Sequence, residues 1–251
     1  MSDTIRLLKP DWPVAARVHA VVSLRDGGVS NAPYASLNLA THVGDVLADV
    51  LVNRQRLREF CQLPSEPIWL NQVHGCDVVD LDALPHGTAQ LIDADASISR
   101  RRGTVLAILT ADCLPIFFTN RQGSVVMLVH AGWRGLAENM IVAAIKKMDR
   151  PVEEVLAWVG PGIGPKAFEV GAEVRDYFLA KKTANEVHFY QAQEGKYYAD
   201  LVAIALWQLQ CLGVGWCGAS HACTYTQSDD FYSYRRDGQT GRMASLIWLS
   251  E

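Results

Sequence analysis

TVLAILTADCLPIFFTNRQGSVVMLVHAGWRG, from Thr104 to Gly135, is the stretch on which the reading of this chain turns. Two apolar runs, Leu114–Thr119 and Ser124–His130, flank the turn-rich tetrad Asn120-Arg121-Gln122-Gly123. Short β-branched and aromatic runs around such a tetrad predict an antiparallel hairpin. A tight turn pairing Asn120 with Gly123 sets a register in which Cys113 faces His130, with Cβ atoms about 4.5–5.5 Å apart. A one-residue bulge at Gly123 would break that juxtaposition, because a single slip moves a side chain to the other face. A thiol opposite an imidazole at the mouth of a hairpin has three readings. The pair belongs to a metal site, or forms a nucleophile with its base, or is structural, with the cysteine acting as a small hydrophobe. Periodicity alone leaves all three open.

Bulk properties narrow the class. The chain has 251 residues and no internal repeat or low-complexity linker, so one domain is expected over 1–251. It is 49% hydrophobic and 20% charged with a net charge of -4, the composition of a soluble globular protein with no basic footprint for nucleic acid. No apolar run is long enough to span a membrane, and the N-terminal MSDTIRLLKPDWP lacks a signal-peptide core, so a cytoplasmic location is expected. The six cysteines are then thiols, and none forms the C-x-x-C pair of a structural zinc ribbon.

Working outward, the pattern alternates strands and helices. Val14–Ser23 reads as a strand with His19 as a face residue, and Asp26–Pro33 as a loop. In SLNLATHVGD, Asn38 and His42 are polar residues that could line a pocket. Asp49–Phe60 reads as an amphipathic helix with Val50, Leu57 and Phe60 inward and Arg54 on another face. Ile68–Leu70 is a short strand leading into NQVHG, with Gln72 and His74 at a strand-to-turn boundary, and Cys76–Leu81 resumes as a strand. Ala89–Ser99 places Asp93 and Asp95 on one strand face, as acid–base or hydrogen-bonding carboxylates. Beyond the hairpin, one helix is expected over Leu136–Met148, a buried strand over Val155–Val159, and a rigid shaped loop in GPGIGP, Gly160–Pro165. Helices follow at Val170–Lys181, with Val174, Tyr177 and Phe178 inward, and at Leu201–Leu212, capped by Asp200 and ended by Gly213. Arg235, Arg236 and Arg242 cluster near the C-terminal strand Met243–Leu249 and suit an anionic group such as phosphate, or pair with local carboxylates.

NQVHG, TADCLP, VHAGWRG, GPGIGP, CTYT and FYSYRRD-x-x-TGRMAS occur in this order over essentially the whole chain. Together they resemble the YfiH-like laccase-domain family, whose members have been called multicopper polyphenol oxidase, purine nucleoside phosphorylase and peptidoglycan editing factor. The resemblance implies an α/β fold, a four-layer αββα sandwich like the catalytic domain of cytotoxic necrotizing factor toxins. It implies a zinc site whose ligands fall on His74, Cys113 and His130. It also implies phosphorolysis of adenosine, inosine, guanosine and methylthioadenosine, together with adenosine deamination. The family pattern expects only Cys223-Thr224 in its segment, so His221 is not assigned as a ligand.

The laccase label can be weighed against the residues. A laccase needs a trinuclear copper cluster served by paired histidines, whereas this chain has seven histidines and no H-x-H. The His₂Cys set matches a blue-copper centre in ligand type, but Met127 lies an odd number of positions from His130 and faces the other way. Zinc is therefore the expected metal and copper the alternative. Nucleoside and phosphate are the expected ligands, with Asn38, Arg54, Gln72, Asp93, Arg134, Arg235 and Arg236 as candidate substrate-binding residues. Two other readings stand beside this one: an editing factor acting on a nucleotide-linked cell-wall precursor, and a metal-free Cys–His hydrolase.

Overall fold

The computed structural model describes residues 4–84 and 91–250 of the chain. Its alternating apolar residues sort onto the faces of two larger sheets. The first has four antiparallel strands in the order Leu7–Leu8, Val18–Ser23, Met243–Leu249, Leu106–Thr110. The second has six, in the order Trp216–Ala219, Val155–Val159, Leu114–Asn120, Val126–Ala131, Ala96–Ser99, Val78–Asp80. Its outermost pairs are parallel and its inner ones antiparallel. A three-stranded sheet and the short parallel pair Leu70–Asn71 with Ile92–Asp93 complete a mixed α/β fold.

Three cores follow from the two-residue period of the strands. Met243, Ile247 and Leu249 point between the two larger sheets, onto Phe117, Val126, Leu128 and Trp158. Ala244, Leu246 and Trp248 point the other way, onto Leu37 and Leu39 of the first loop region and Leu57 of the helix Leu47–Phe60. On the far side of the larger sheet, Leu114, Ile116, Phe118, Met127 and Val129 pack against the helices Met140–Met148, Ala172–Lys181 and Leu201–Cys211. No helix of the described residues is long and apolar enough to cross a membrane.

The hairpin forms, but its register differs from the expected one. Pro115, not Cys113, pairs with His130, and Leu114 pairs with Ala131. The cause lies in the turn. Asn120 stays in its strand because Val155 pairs with it from the other side. Its Oδ1 accepts the Ser124 N–H at 2.8 Å, closing a wider loop in which Gly123 takes a positive φ of 61°. The offset is therefore two residues, and an even slip keeps every side chain on its own face. Cys113 still lies diagonally across from His130, in the bend just before the strand.

Other boundaries moved for equally local reasons. The helix expected over Leu136–Met148 is two helices, Trp133–Ala137 and Met140–Met148, parted by Asn139 at φ 67°. Asn tolerates that left-handed conformation, which ends one helix and starts the next. Asp93 and Asp95 do not share a strand: Asp93 pairs with Asn71 in the small sheet, while Asp95 precedes the strand Ala96–Ser99. Phe60 and Tyr177, expected inward, are 50% and 40% exposed. Asp200 does cap its helix, its Oδ1 accepting the Ala203 N–H at 2.9 Å. Gly160, Gly162 and Gly164 lie where a Cβ would strike Pro115, Leu114 and the Cys223 sulfur, so GPGIGP is a closely packed loop.

The first loop region is held by the fully buried Asn53. Its Oδ1 accepts the Val29 N–H at 2.8 Å, and its Nδ2 lies within 3.1 Å of Ser30 Oγ and the carbonyls of Ser36 and Asn38. Asn53→Leu strands those partners, so it is expected to cost about 3 kcal/mol, read as a lower urea midpoint at unchanged slope. A loss under about 0.5 kcal/mol would show that these bonds contribute little.

Candidate metal centre

The centre is built around the carboxylate of Asp95, which is 0% exposed. Three consecutive backbone N–H groups converge on it: Val73 at 3.2 Å, His74 at 3.0 Å and Gly75 at 2.6 Å. Its Oδ1 also lies 2.7 Å from His130 Nδ1. One acid thus fixes both histidines, His74 through its main chain and His130 through its ring. His74 adopts a φ of 60°, a left-handed conformation uncommon for a residue with a Cβ. The N–H bonds to Asp95 hold it there. The two imidazole rings meet edge to face, 4.8 Å between centroids.

Cys113 arrives from the bend before Leu114. Asp112 shapes that bend with a φ of 97°. Its Oδ1 accepts from Thr224 Oγ1 at 2.6 Å and its Oδ2 from the Arg235 N–H at 2.7 Å, while its carbonyl accepts from the Ile163 N–H at 2.9 Å. Opposite the sulfur stands Gly132, where a Cβ would lie 3.0 Å from Cys113 Sγ and 3.5 Å from His74 Cδ2. Only glycine leaves that space open.

The three groups perturb one another. Burial pushes the Cys113 thiol up, but the charge of His130 and hydrogen bonds from His130 and His74 outweigh it and bring the group down to about 6. Burial pushes His130 down, while the Cys113 thiolate and the bond to Asp95 raise it to about 9. Burial also acts to raise Asp95, yet its bonds to His130 and the backbone hold it below the usual carboxylate range. Without a cation, the Cys113–His130 pair is thus biased toward thiolate and imidazolium, with the carboxylate bracing the ring.

The donor set fits a transition-metal ion. One ligand atom from each of His74, Cys113 and His130 lies within 4.8 Å of the other two. Nδ1 of His130 is engaged with Asp95, so Nε2 remains for a metal, the carboxylate–imidazole arrangement that metal-binding histidines use. Nitrogen and thiolate donors suit zinc or copper. His74 is exposed and His130 buried, so the trio has a protein side and a solvent side.

The other candidates take varied places. Asn38 is fully buried, its Oδ1 accepting from Ala40 and Arg242 N–H groups and its Nδ2 donating to Asp45. Gln72 bonds both main-chain groups of Leu109 at 2.8 Å, tying its loop to the four-stranded sheet. Asp93 accepts from Asn71 Nδ2 at 2.7 Å. Arg134 lies over the Trp133 ring, and Arg235 over Phe168 with its Nη1 on the Glu169 carbonyl. Arg236 is a structural tie: its guanidinium binds Asp237 and the carbonyls of Thr224, Tyr225 and Phe231. Arg54 donates Nε to the Leu39 carbonyl and covers Trp69 at 4.0 Å. Asp95 and Gly132 are the positioning residues that sequence reasoning undervalued. The alternation IDADAS made its two acids equivalent, and AGWRG read only as the start of a helix.

A family described as multi-copper polyphenol oxidoreductase laccase matches residues 19–250. The chain is 47% identical over 244 residues to "Purine nucleoside phosphorylase YfiH" of Escherichia coli (strain K12), spanning 97% of this chain and 99% of that one. It is 41% identical over 247 residues to "Purine nucleoside phosphorylase" of Haemophilus influenzae, spanning 98% and 100%. Among solved structures, Neisseria meningitidis protein NMB0706 superposes with a TM-score of 0.92 at 42% identity, covering 98% of this chain and 99% of that one. YlmD from Geobacillus stearothermophilus gives 0.86 at 30% identity, covering 98% and 96%.

Asp95→Asn puts an amide where four N–H groups point and removes the charge that orients His130. Divalent-metal affinity, measured by chelator competition, is expected to fall about 10- to 100-fold; unchanged affinity would show that the acid does not organise the trio. A cation must also displace the centre's protons. The logarithm of its apparent affinity should rise with pH while the Cys113 thiol and the His130 imidazolium still hold protons, and level off above about 9. A flat profile between 6 and 9 would contradict the thiolate–imidazolium pair.

Proposed function

The chain belongs to the YfiH-like, laccase-domain family, and on that premise we propose that it is a zinc-dependent purine nucleoside phosphorylase. Its substrates are adenosine, inosine, guanosine and methylthioadenosine, with adenosine deamination as a second activity of the same centre. The observation that carries the reading is the convergence of His74, Cys113 and His130 around one point, braced by Asp95. The naming of close full-length relatives as purine nucleoside phosphorylases supports the substrate class. Zinc is favoured over copper because Met127 packs in the helix-side core, on the opposite face of its strand from His130. When bound, zinc supplies Lewis acidity at the open side of the trio.

The residues do the rest. Cys113 and His74 close the site from the bend and the loop, and the buried His130 holds its ring in one tautomer through Asp95. Gly132 has no Cβ to crowd the sulfur. In phosphorolysis the phosphate oxygen bonds the ribose C1′ as the glycosidic C–N bond breaks, and the purine nitrogen leaves with the electron pair. The three cores, helix against sheet, sheet against sheet and sheet against helix, accord with a four-layer αββα sandwich of the cytotoxic necrotizing factor type.

A second reading has one observation behind it. Cys113, His130 and Asp95 also form a thiolate–imidazole–carboxylate series of the kind that cysteine hydrolases use. The two readings separate in one experiment. Inosine turnover with phosphate is expected to vanish on chelation, return with zinc, and be lost in Cys113→Ala together with bound zinc. Activity that survives chelation, with Cys113 trapped by an electrophile regardless of metal, would replace the phosphorylase with the hydrolase.

A further inference from the structure

A phosphorylase needs a place for its phosphate, and the resemblance does not say where. Beside the metal centre lies an open cavity of about 460 Å³ lined by His42, Tyr234, Gln239, Thr240 and Arg242. Tyr234 lines it, and the N–H of the next residue, Arg235, bonds Asp112 beside Cys113, so the cavity adjoins the trio. The Arg242 guanidinium donates Nη1 to the carbonyls of Thr240 and Gly241 at 2.8 and 3.0 Å and stands 5.8 Å from the Tyr234 ring.

Arg54, on the helix Leu47–Phe60, lines a separate groove with Arg58 and Glu66 and acts on this cavity through its charge. It shares Leu39 with Arg242: Arg54 Nε donates to the Leu39 carbonyl, and the Leu39 N–H donates to the Arg242 carbonyl. His42 lies within the field of both arginines. Burial pushes its imidazole down, and the charges of Arg242 and Arg54 push it further. Burial likewise lowers both guanidinium groups, Arg54 to about 10. Neither arginine forms an ion pair with a carboxylate among the described residues. Two partly buried cations thus act on one imidazole, and neither is ion-paired among the described residues, an arrangement that an entering anion would relieve. A second observation points the same way. Thr240 is 1% exposed, lines the cavity, and its hydroxyl has no hydrogen-bond partner.

We propose that Arg242, His42 and Thr240, within the field of Arg54, form the oxyanion subsite of this protein, and that its occupant is inorganic phosphate, the co-substrate of nucleoside cleavage. The subsite rests on the phosphorylase reading for the identity of its occupant, not for its existence. Arg242 supplies the forked donors that match phosphate geometry, and Arg54 adds its charge from the next groove. Thr240 offers its free hydroxyl, and His42 a ring N–H. Asn38 is the positioning residue, because its Oδ1 accepts both the Arg242 and the Ala40 N–H groups and so sets the two walls in register.

The test titrates inorganic phosphate into the zinc-loaded protein by calorimetry and compares Arg242→Gln, Arg242→Lys, Arg54→Gln and Thr240→Val. Circular dichroism and zinc content serve as checks on folding. Phosphate affinity is expected to fall about tenfold or more in each Gln variant and to recover partly in Arg242→Lys. The KM for phosphate should rise in parallel while the KM for inosine stays within about twofold. Thr240→Val, which conserves shape, should weaken phosphate several-fold and keeps the test valid if an arginine variant does not fold. Phosphate that fails to bind the wild type, or binds every variant equally, overturns the subsite. A nucleoside diphosphate that binds there more tightly than phosphate overturns the occupant. If phosphate binding depends on these residues but inosine is never cleaved, the subsite stands and the phosphorylase reading falls.

Discussion

The organising constraint of this protein is a carboxylate with no access to water. Asp95 must be ionised to accept three backbone N–H groups and an imidazole, and burial of that charge is tolerable only because all of them are present. The same bonds bend the chain at Val73–Gly75 into the conformation that presents His74. They also select the ring nitrogen of His130 that faces the sulfur. The geometry of the centre is thus inherited from one buried acid rather than from three independent placements.

Much of this was legible in the sequence where a two-residue period rules. The runs Leu114–Thr119 and Ser124–His130 announced their hairpin, and Met243–Leu249 its strand, although that strand is buried on both faces and its sequence does not say which side chain faces which core. The register was not legible, because Asn120 is held in its strand by Val155, a residue far along the chain. The juxtaposition of Cys113 with His130 survived only because the slip was even. Asn139 was hidden for a related reason: a single left-handed residue costs little and leaves no trace in apolar spacing.

The site was legible as motifs but not as roles. NQVHG, TADC and VHAG each contributed one ligand-type side chain, and the structure brings those three together. Polar residues that looked alike on paper separate by what they touch. Gln72 and Arg236 are engaged with main-chain carbonyls or N–H groups and with neighbouring side chains, as structural ties. Arg54 and Arg242 are partly buried without a carboxylate partner among the described residues. Burial and partnership are tertiary properties, and a charge run such as YRRDGQTGR does not carry them.

Asn38 reaches across 204 positions to the main chain of Arg242, and Asp112 across 123 to that of Arg235. The three ligand side chains are all synthesised by residue 130, roughly halfway along the chain, but Ile163, Thr224 and Arg235, which hold the Asp112 bend, come later. A chain truncated between these points carries every donor atom without the bonds that aim the sulfur. Inventory and geometry of the centre are thus written in different parts of the chain.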